Sequence, residues 1–204
     1  QTLYPQGHPY SWPVIGYVDD LDRVTVDDLK NFFLRWYGPN NAILSIGGDV
    51  DTKEVIDLAM KYFGPIPRGP EVKKQRVPLP VVADDKYTNA IDDVYLPLTY
   101  MVLPSVPMYH RDEPALDLLA MIMGDGKSSI MYQNLVKTDL VAQTDVYNST
   151  SELAGEFTIV AVSYPMLSDG TAITINDIEE KIRESIKQFA DGYMTDEALA
   201  IAKK

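Results

Sequence analysis

The sequence contains no cysteine and only two histidines, His8 and His110, which lie far apart along the chain. Without cysteine the chain forms neither a disulfide nor a thiolate zinc site, and it has no thiol nucleophile. Neither histidine has a partner at the spacing of a metal-binding motif. We therefore expect His8 to be a loop histidine packed against aromatic residues, and His110 to be a loop residue at the start of a helix.

Positive charge is also scarce, because 18 Lys and Arg residues stand against 30 Asp and Glu, for a formal net charge of −12. The densest basic cluster, Lys73, Lys74 and Arg76, does not offset this balance, which disfavours binding to nucleic-acid phosphates. No apolar run approaches the roughly 18 residues that a membrane span requires. We expect neither a nucleic-acid partner nor a membrane span.

Motifs for a reaction are missing as well. No serine lies in a Gly-x-Ser-x-Gly elbow, and the acidic pairs such as Asp27-Asp28 sit in loops or first helical turns, where negative charge suits the helix dipole. The run Gly126-Lys127-Ser128 resembles the end of a phosphate-binding loop, but Met121 occupies the position of the required first glycine. We predict no catalytic residue, no cofactor-binding residue and no metal ligand in this chain.

The most informative stretch is residues 118–146, which has the pattern of a structural core. Its first part is apolar on nearly every face and predicts a buried helix, which Gly124-Asp125-Gly126 ends. Ser128 or Ser129 is placed to cap a second helix, whose apolar residues recur at helical spacing up to Val136 and which leads into a strand.

The remaining elements follow from caps, periodicity and turn residues. Helices are predicted after Thr25, after Asp51 or Thr52, from about Asp112, over 177–189 and from Thr195; strands are predicted over 42–46 and 92–103, and a hairpin joins 140–148 to 156–164. The fold class is therefore α/β (α+β), with a mixed, largely antiparallel sheet covered by helices.

The segment from Pro65 to Lys86 contains five prolines and no helical period, which indicates a linker. Residues 24–29 and 194–199 share an apolar residue, a capping Thr, an acid and a Leu in the same order. This echo reflects either an internal repeat or two independent caps of a common type. A chain that begins at Gln1 and ends inside an apparent helix is expected to be a piece of a longer protein.

A series of short motifs resembles the pitrilysin/insulinase family of zinc metallopeptidases, in order and over essentially the whole chain. The motifs are His8-Pro9-Tyr10, Val14-Ile15-Gly16, Leu29-x-x-Phe32, Trp36-Tyr37-Gly38-Pro39-Asn40-Asn41, Gly48-Asp49, Tyr62-Phe63-Gly64, Ile66-Pro67, Gly124-x-Gly126-x-Ser128-Ser129 and Leu135-Val136-Lys137. The resemblance implies the end of a first peptidase half at 1–64, a linker at 65–86 and the truncated start of a second, inactive half at 87–204.

The resemblance also implies where the chemistry lies. Family members close two related halves around an unfolded peptide and bind zinc in the first half, on an inverted His-x-x-Glu-His helix whose Glu is the general base. That motif is absent here, so zinc is expected on upstream residues of the parent. Active members often carry an Arg and a Tyr at the positions of Val136 and Gln143, and neither residue found here does the same electrostatic work.

These implications lead to a first hypothesis: a non-catalytic part of a zinc peptidase that forms the wall of a peptide-enclosing chamber, partnered by the catalytic half and a polypeptide substrate. An acidic surface would favour basic substrates. A second hypothesis is an inactive family member that acts as an assembly or processing subunit, and a third is an unrelated α/β binding domain. The resemblance is compatible with a bacterial periplasm or cell envelope.

The two halves also suggest a way to complete the sheet. If both share one fold, the helix, strand and helix of residues 25–63 could extend the second-half sheet, either within the chain or by exchange in a homodimer.

Overall fold

The computed structural model describes residues 2–193, 199, 200 and 202. The chain divides into two compact units, one formed by residues 12–76 and the other by residues 1–11 together with 77–204. Within the described residues, no helix is both long enough and apolar enough to cross a bilayer.

The larger unit is built on a three-stranded antiparallel sheet. Its strands are β1 (Leu98–Ser105), β2 (Val141–Thr150) and β3 (Gly155–Ser163), and β3 lies in the middle. Met101 and Val146 both oppose Ile159 of β3, which fixes the register of the two edge strands. The predicted hairpin of β2 and β3 is confirmed, as is the α/β fold class.

Helices cover one face of this sheet. α4 (Glu113–Gly124) lies against β2, and α5 (Ile175–Gln188) contacts β1 and the π-helical turn Tyr132–Val136. Alternating residues of β3 enter the core between sheet and helices because side chains of a strand point to opposite faces in turn. The large side chains that are fully buried in this core include Ile130, Met131, Leu135, Ile159, Ile178 and Ile182.

The N-terminal segment packs against the turn between β2 and β3. His8 is buried, stacks on Tyr4 with ring centroids 4.6 Å apart, and lies 5.2 Å from the ring of Tyr10. The Tyr10 hydroxyl accepts a hydrogen bond from the Leu153 backbone N–H at 3.1 Å. Burial and a hydrogen bond to Glu156 raise the pKa of Tyr4. The predicted packing of His8 among aromatic residues is confirmed.

The unit of residues 12–76 contains α1 (Val18–Arg23), α2 (Val26–Trp36) and α3 (Thr52–Phe63). Thr25 caps α2 in a reciprocal capping box with Asp28, and Asp51 caps α3, as predicted. None of the residues 12–76 is buried, so the apolar stripes of α2 and α3 face solvent. α1 was not predicted, since it follows a segment rich in Pro and Gly.

The strand predicted at residues 42–46 is absent. Ala42 has extended backbone angles, but the described part of this unit holds no neighbouring strand to accept its ladder hydrogen bonds, and Ile43 and Leu44 are exposed. Completion of the sheet within the chain is therefore wrong, because the only described sheet contains β1, β2 and β3 alone. Exchange with a second copy stays a prediction.

Two other boundaries differ from expectation. β1 begins at Leu98, because the Asp92 carbonyl accepts a hydrogen bond from Val94 N–H in a turn, and it continues through Pro104, which an edge strand tolerates. The helix predicted after Ser129 is short and ends as the π-helical turn Tyr132–Val136. The predicted helix start at Thr195, and with it the second copy of the echo, lies outside the described residues.

Candidate functional site

Two backbone irregularities meet beside the end of α4. Gly126 adopts a φ of +73°, and the Ser129 hydroxyl donates to the Gly126 carbonyl at 2.9 Å while accepting from Tyr132 N–H at 3.3 Å. Ser129 is thus the cap, as one of the two predicted alternatives. The following turn is π-helical, a distortion that often accompanies functional sites.

The second irregularity is a β-bulge at the start of β2. Val141 opposes Ser163 whereas Gln143 opposes Val162, so Ala142 has no partner of its own on β3. A bulge bends the strand and changes the direction of the side chains beside it. Gln143 is thereby brought to the same place as the π-helical turn.

An open cavity of about 270 Å³ lies where these two irregularities meet. Its lining includes Gly126, Lys127, Tyr132, Val136, Gln143 and Thr144. Val136 and Gln143, which the family resemblance singles out, thus line one cavity although seven positions separate them in sequence. Gly124 makes the close approach possible, since a Cβ there would lie 2.8 Å from the Val146 Cβ.

The lining residues offer hydrogen-bond donors and no carboxylate, imidazole or thiol. Lys127 supplies an ammonium, Gln143 an amide and Tyr132 a hydroxyl, while no Asp, Glu, His or Cys contributes to the cavity wall. The Thr144 hydroxyl is already used, because it donates to the Val160 carbonyl at 3.0 Å. The arrangement is suited to holding an anion or a carbonyl oxygen.

Lys127 and Tyr132 are residues of this site that the sequence alone did not predict. Lys127 belongs to the run that resembles a phosphate-binding loop, and the structure shows that run as a turn between two helical segments, whose Lys127 carbonyl accepts from the Gln133 side chain. Because the phosphate-binding-loop pattern was rejected, Lys127 was not considered as a residue beside a cavity. The Gly-x-Gly turn before it was the available signal.

The two histidines do not form a metal site with their neighbours. His8 Nδ1 accepts a hydrogen bond from Tyr10 N–H at 3.1 Å, and His110 Nδ1 accepts one from Asp112 N–H at 3.2 Å. Among the described residues, no group of three or more His, Cys, Asp or Glu side chains could hold a metal ion. His8 and His110 therefore do not form a zinc site of the kind that the family resemblance implies for upstream residues of the parent.

A larger open groove of about 470 Å³ runs along the exposed face of α5. Its Arg183 pairs with Glu179 at 2.9 Å and with Asp85 of the proline-rich segment at 2.8 Å. The Tyr87 hydroxyl also donates to Glu179, and these hydrogen bonds lower the pKa of that carboxyl. Because Arg183 and Glu179 are already paired with each other and with the segment near residue 86, this groove holds that segment against α5.

Comparisons with known proteins agree with this architecture. A family model described as the peptidase M16 inactive domain matches residues 23–204. The zinc protease PqqE of Helicobacter pylori is 31% identical over 165 residues, which are 78% of this chain and 36% of that protein. The beta subunit of the mitochondrial-processing peptidase of Caenorhabditis elegans is 26% identical over 122 residues, 59% of this chain and 26% of that subunit.

The fold is also found among solved structures. A crystal structure of a protease from Helicobacter pylori superposes with a TM-score of 0.71 and 28% identity, covering 96% of this chain and 47% of that one. The chain thus spans less than half of the length of these two proteins from Helicobacter pylori. Its match to the inactive-domain model over residues 23–204 shows that the chain belongs to the pitrilysin/insulinase (M16) peptidase family, as a non-catalytic domain.

Proposed function

We propose that the chain forms part of the wall of a peptide-enclosing chamber in a longer zinc peptidase, whose zinc and general base lie on upstream residues. The match to the inactive-domain model over 23–204 carries this proposal. The name of the relative PqqE, a zinc protease, supports the expectation of zinc in the parent. In this proposal residues 1–64 end the catalytic half, 65–86 link the halves and 87–204 begin the inactive half.

The exposed face of the sheet supports a role as a wall. Tyr100 and Val102 of β1 and Tyr147 of β2 lie on the face opposite the helices and are exposed, whereas the other face is packed. An open sheet face with aromatic side chains offers apolar contact and tyrosine hydroxyls to an extended polypeptide. The cavity beside Gln143 lies at one end of β2 and provides polar donors.

The experiment compares the 204-residue chain with the longer parent protein. Zinc is measured by atomic absorption after dialysis, and cleavage is measured with unfolded casein. We expect equimolar zinc and cleavage only in the parent, because the described residues offer no fitting ligand set. Tight equimolar zinc in the 204-residue chain would contradict the proposal.

A second candidate is a parent that is itself inactive and serves as an assembly or processing subunit. It is favoured by Val136 and Gln143, which lack the guanidinium and the phenol that many active members carry at these two positions. Similarity to a subunit of the mitochondrial-processing peptidase also supports it. An intact His-x-x-Glu-His upstream, with zinc bound, selects the peptidase, and loss of the motif selects the subunit.

A homodimer by exchange of residues 25–63 is a further proposal for the isolated chain. The exposed apolar stripes of α2 and α3, including Phe32, Phe33 and Ile56, support it, because burial of such stripes drives association. Light scattering is expected to show a dimer that Phe32→Glu converts to monomer. A chain that stays monomeric at about 100 times the protein concentration used for urea unfolding would refute it.

A further inference from the structure

The cavity beside the π-helical turn differs in charge from the chain that contains it. The whole sequence has a formal net charge of −12, yet the only charged side chain in the cavity wall is Lys127. The acidic neighbours along the chain, Asp125 and Asp145, do not line the cavity. A ligand that enters therefore meets a positive charge on an otherwise acidic protein, which selects for negative charge.

Lys127 is available for such a ligand. No ion pair within the described part of the chain uses its ammonium, and its backbone carbonyl alone is engaged, by the Gln133 side chain. The residue is exposed, so the ammonium reaches solvent and a ligand without unfolding of the turn. The positive φ of Gly126 holds the turn that presents it.

The rest of the wall complements a carboxylate attached to an aliphatic stem. Gln143 and Tyr132 add an amide and a hydroxyl to the wall, and Val136 adds an apolar side chain. A carboxylate accepts several hydrogen bonds at once, and its bonds to charged donors are the stronger ones.

We propose that this cavity binds a carboxylate of an extended peptide, with Lys127 as the charge partner and Gln143 as the second donor. The carboxylate comes from a Glu or Asp side chain or from the peptide C-terminus. The inference rests on the proposed function, the holding of a peptide, and adds a preference that runs against the overall acidity of the chain. It makes Lys127 a specificity-determining residue and not a structural one.

The test uses the 15N-labelled 204-residue chain and three seven-residue peptides of alanine, serine and tyrosine with acetylated and amidated ends, which carry Glu, Gln or Lys at the centre. A fourth peptide carries the central Gln and a free C-terminal carboxylate. Amide shifts on titration give both the location and the affinity of binding. We expect the Glu peptide to bind about three- to fivefold more tightly than the Gln peptide, as an exposed ion pair allows, with shifts at 126–127 and 143.

Two variants separate the charge from the fold. Lys127→Gln is expected to abolish the Glu preference while leaving binding of the Gln peptide unchanged. Lys137→Gln is the matched control, because Lys137 lies just beyond the same turn, donates to Gln133 at 3.1 Å and does not line the cavity. Preference for the free C-terminus over the Glu side chain would identify the source of the carboxylate and support the proposal.

The remaining outcomes overturn the proposal in distinguishable ways. Equal affinity for the Glu and Gln peptides, or a Glu preference that survives Lys127→Gln, refutes the carboxylate site but leaves peptide holding intact. Binding with shifts confined to the sheet face around Tyr100 and Tyr147 does the same. If none of the four peptides binds at millimolar concentration, the carboxylate site fails together with peptide holding by this part of the protein.

Discussion

Helices α2 and α5 have the same type of N-terminal cap but lie in different environments. In α2 the Thr25 hydroxyl accepts from Asp28 N–H at 3.2 Å and the Asp28 carboxylate accepts from Thr25 N–H at 2.9 Å. In α5 the corresponding distances between Thr174 and Asp177 are 3.2 and 2.7 Å. Both helices are amphipathic, with apolar residues at helical spacing.

The environments diverge because only one of these helices lies in a unit with a sheet. α5 fully buries Ile178 and Ile182, whereas α2 leaves Phe32 57% exposed and Phe33 60% exposed. Local sequence therefore decides where a helix starts, but not whether its apolar face is covered. The apolar face of α2 is therefore exposed in the unit of residues 12–76, whereas the apolar face of α5 is buried in the core of the larger unit.

The strongest test of this difference between α2 and α5 is to remove an apolar side chain from each helix. Ile182→Ala leaves a cavity in a closed core and is expected to cost about 2–5 kcal/mol of the free energy of unfolding. Phe32→Ala removes a larger side chain from an exposed position and is expected to change it by only about 0.5 kcal/mol. Urea unfolding followed by circular dichroism, at a concentration where the chain is monomeric, measures both. Equal losses would show that α2 has a partner.

A second test uses glycine to probe how closely each unit is packed. A Cβ at Gly155 would lie 2.3 Å from the Val106 carbonyl oxygen and 3.0 Å from that of Ser149, whereas one at Gly47 would meet nothing within 4 Å. Gly155→Ala is expected to destabilise the larger unit by about 1–3 kcal/mol, as overpacking does. Gly47→Ala is expected to be neutral in the same urea experiment. A neutral Gly155→Ala would mean that the chain after β1 moves freely.

The two capping boxes provide a third, smaller test. Replacing an N-cap Thr by Ala costs about 1 kcal/mol when the helix is part of the cooperative unit. We expect Thr174→Ala to accelerate amide exchange in β3 by about fivefold, and Thr25→Ala to leave that exchange unchanged, since α2 belongs to the other unit. Faster exchange at Ile159 in Thr25→Ala would show that the two units unfold together.

Much of this comparison could be predicted from sequence, because caps and apolar periodicity are local. The hairpin, the helix after Thr25, the helix after Asp51 or Thr52 and a cap at Ser128 or Ser129 all follow from neighbouring residues. The structure selects Asp51 and Ser129 as the caps. The strand predicted at residues 42–46 was wrong, since an apolar run becomes a strand only beside another strand. Its composition was right for a buried strand, and no described neighbour exists to pair with it.

The cavity was harder to predict for a different reason. It depends on a bulge that shifts the register between Val141 and Gln143 and on a π-helical turn, and neither has a clear pattern in a single sequence. Val136 and Gln143 were noticed only through the family resemblance, as departures from its usual residues. Lys127 lies in the same cavity wall as these two residues because of the path of the turn at Gly126, which only the three-dimensional structure shows.

The smallest expected effect is the pH dependence of the α5 cap. The hydrogen bonds that Asp177 accepts from the Thr174 hydroxyl and backbone lower the pKa of its carboxyl in the folded protein. A lowered folded pKa means that the contribution to stability is present above the unfolded value of about 3.9 and is lost as the pH falls through the folded pKa. Amide exchange in β3 of Asp177→Asn should therefore be faster than that of the unmodified protein near pH 6, and the two should converge at the acid limit.

Asp28→Asn is the matched control. The Asp28 carboxyl has the same bonds to Thr25, in a helix without a buried face, so this substitution should leave exchange in β3 unaffected at every pH. A difference for Asp177→Asn that persists unchanged in acid would assign the effect to side-chain packing and not to the charge of the cap.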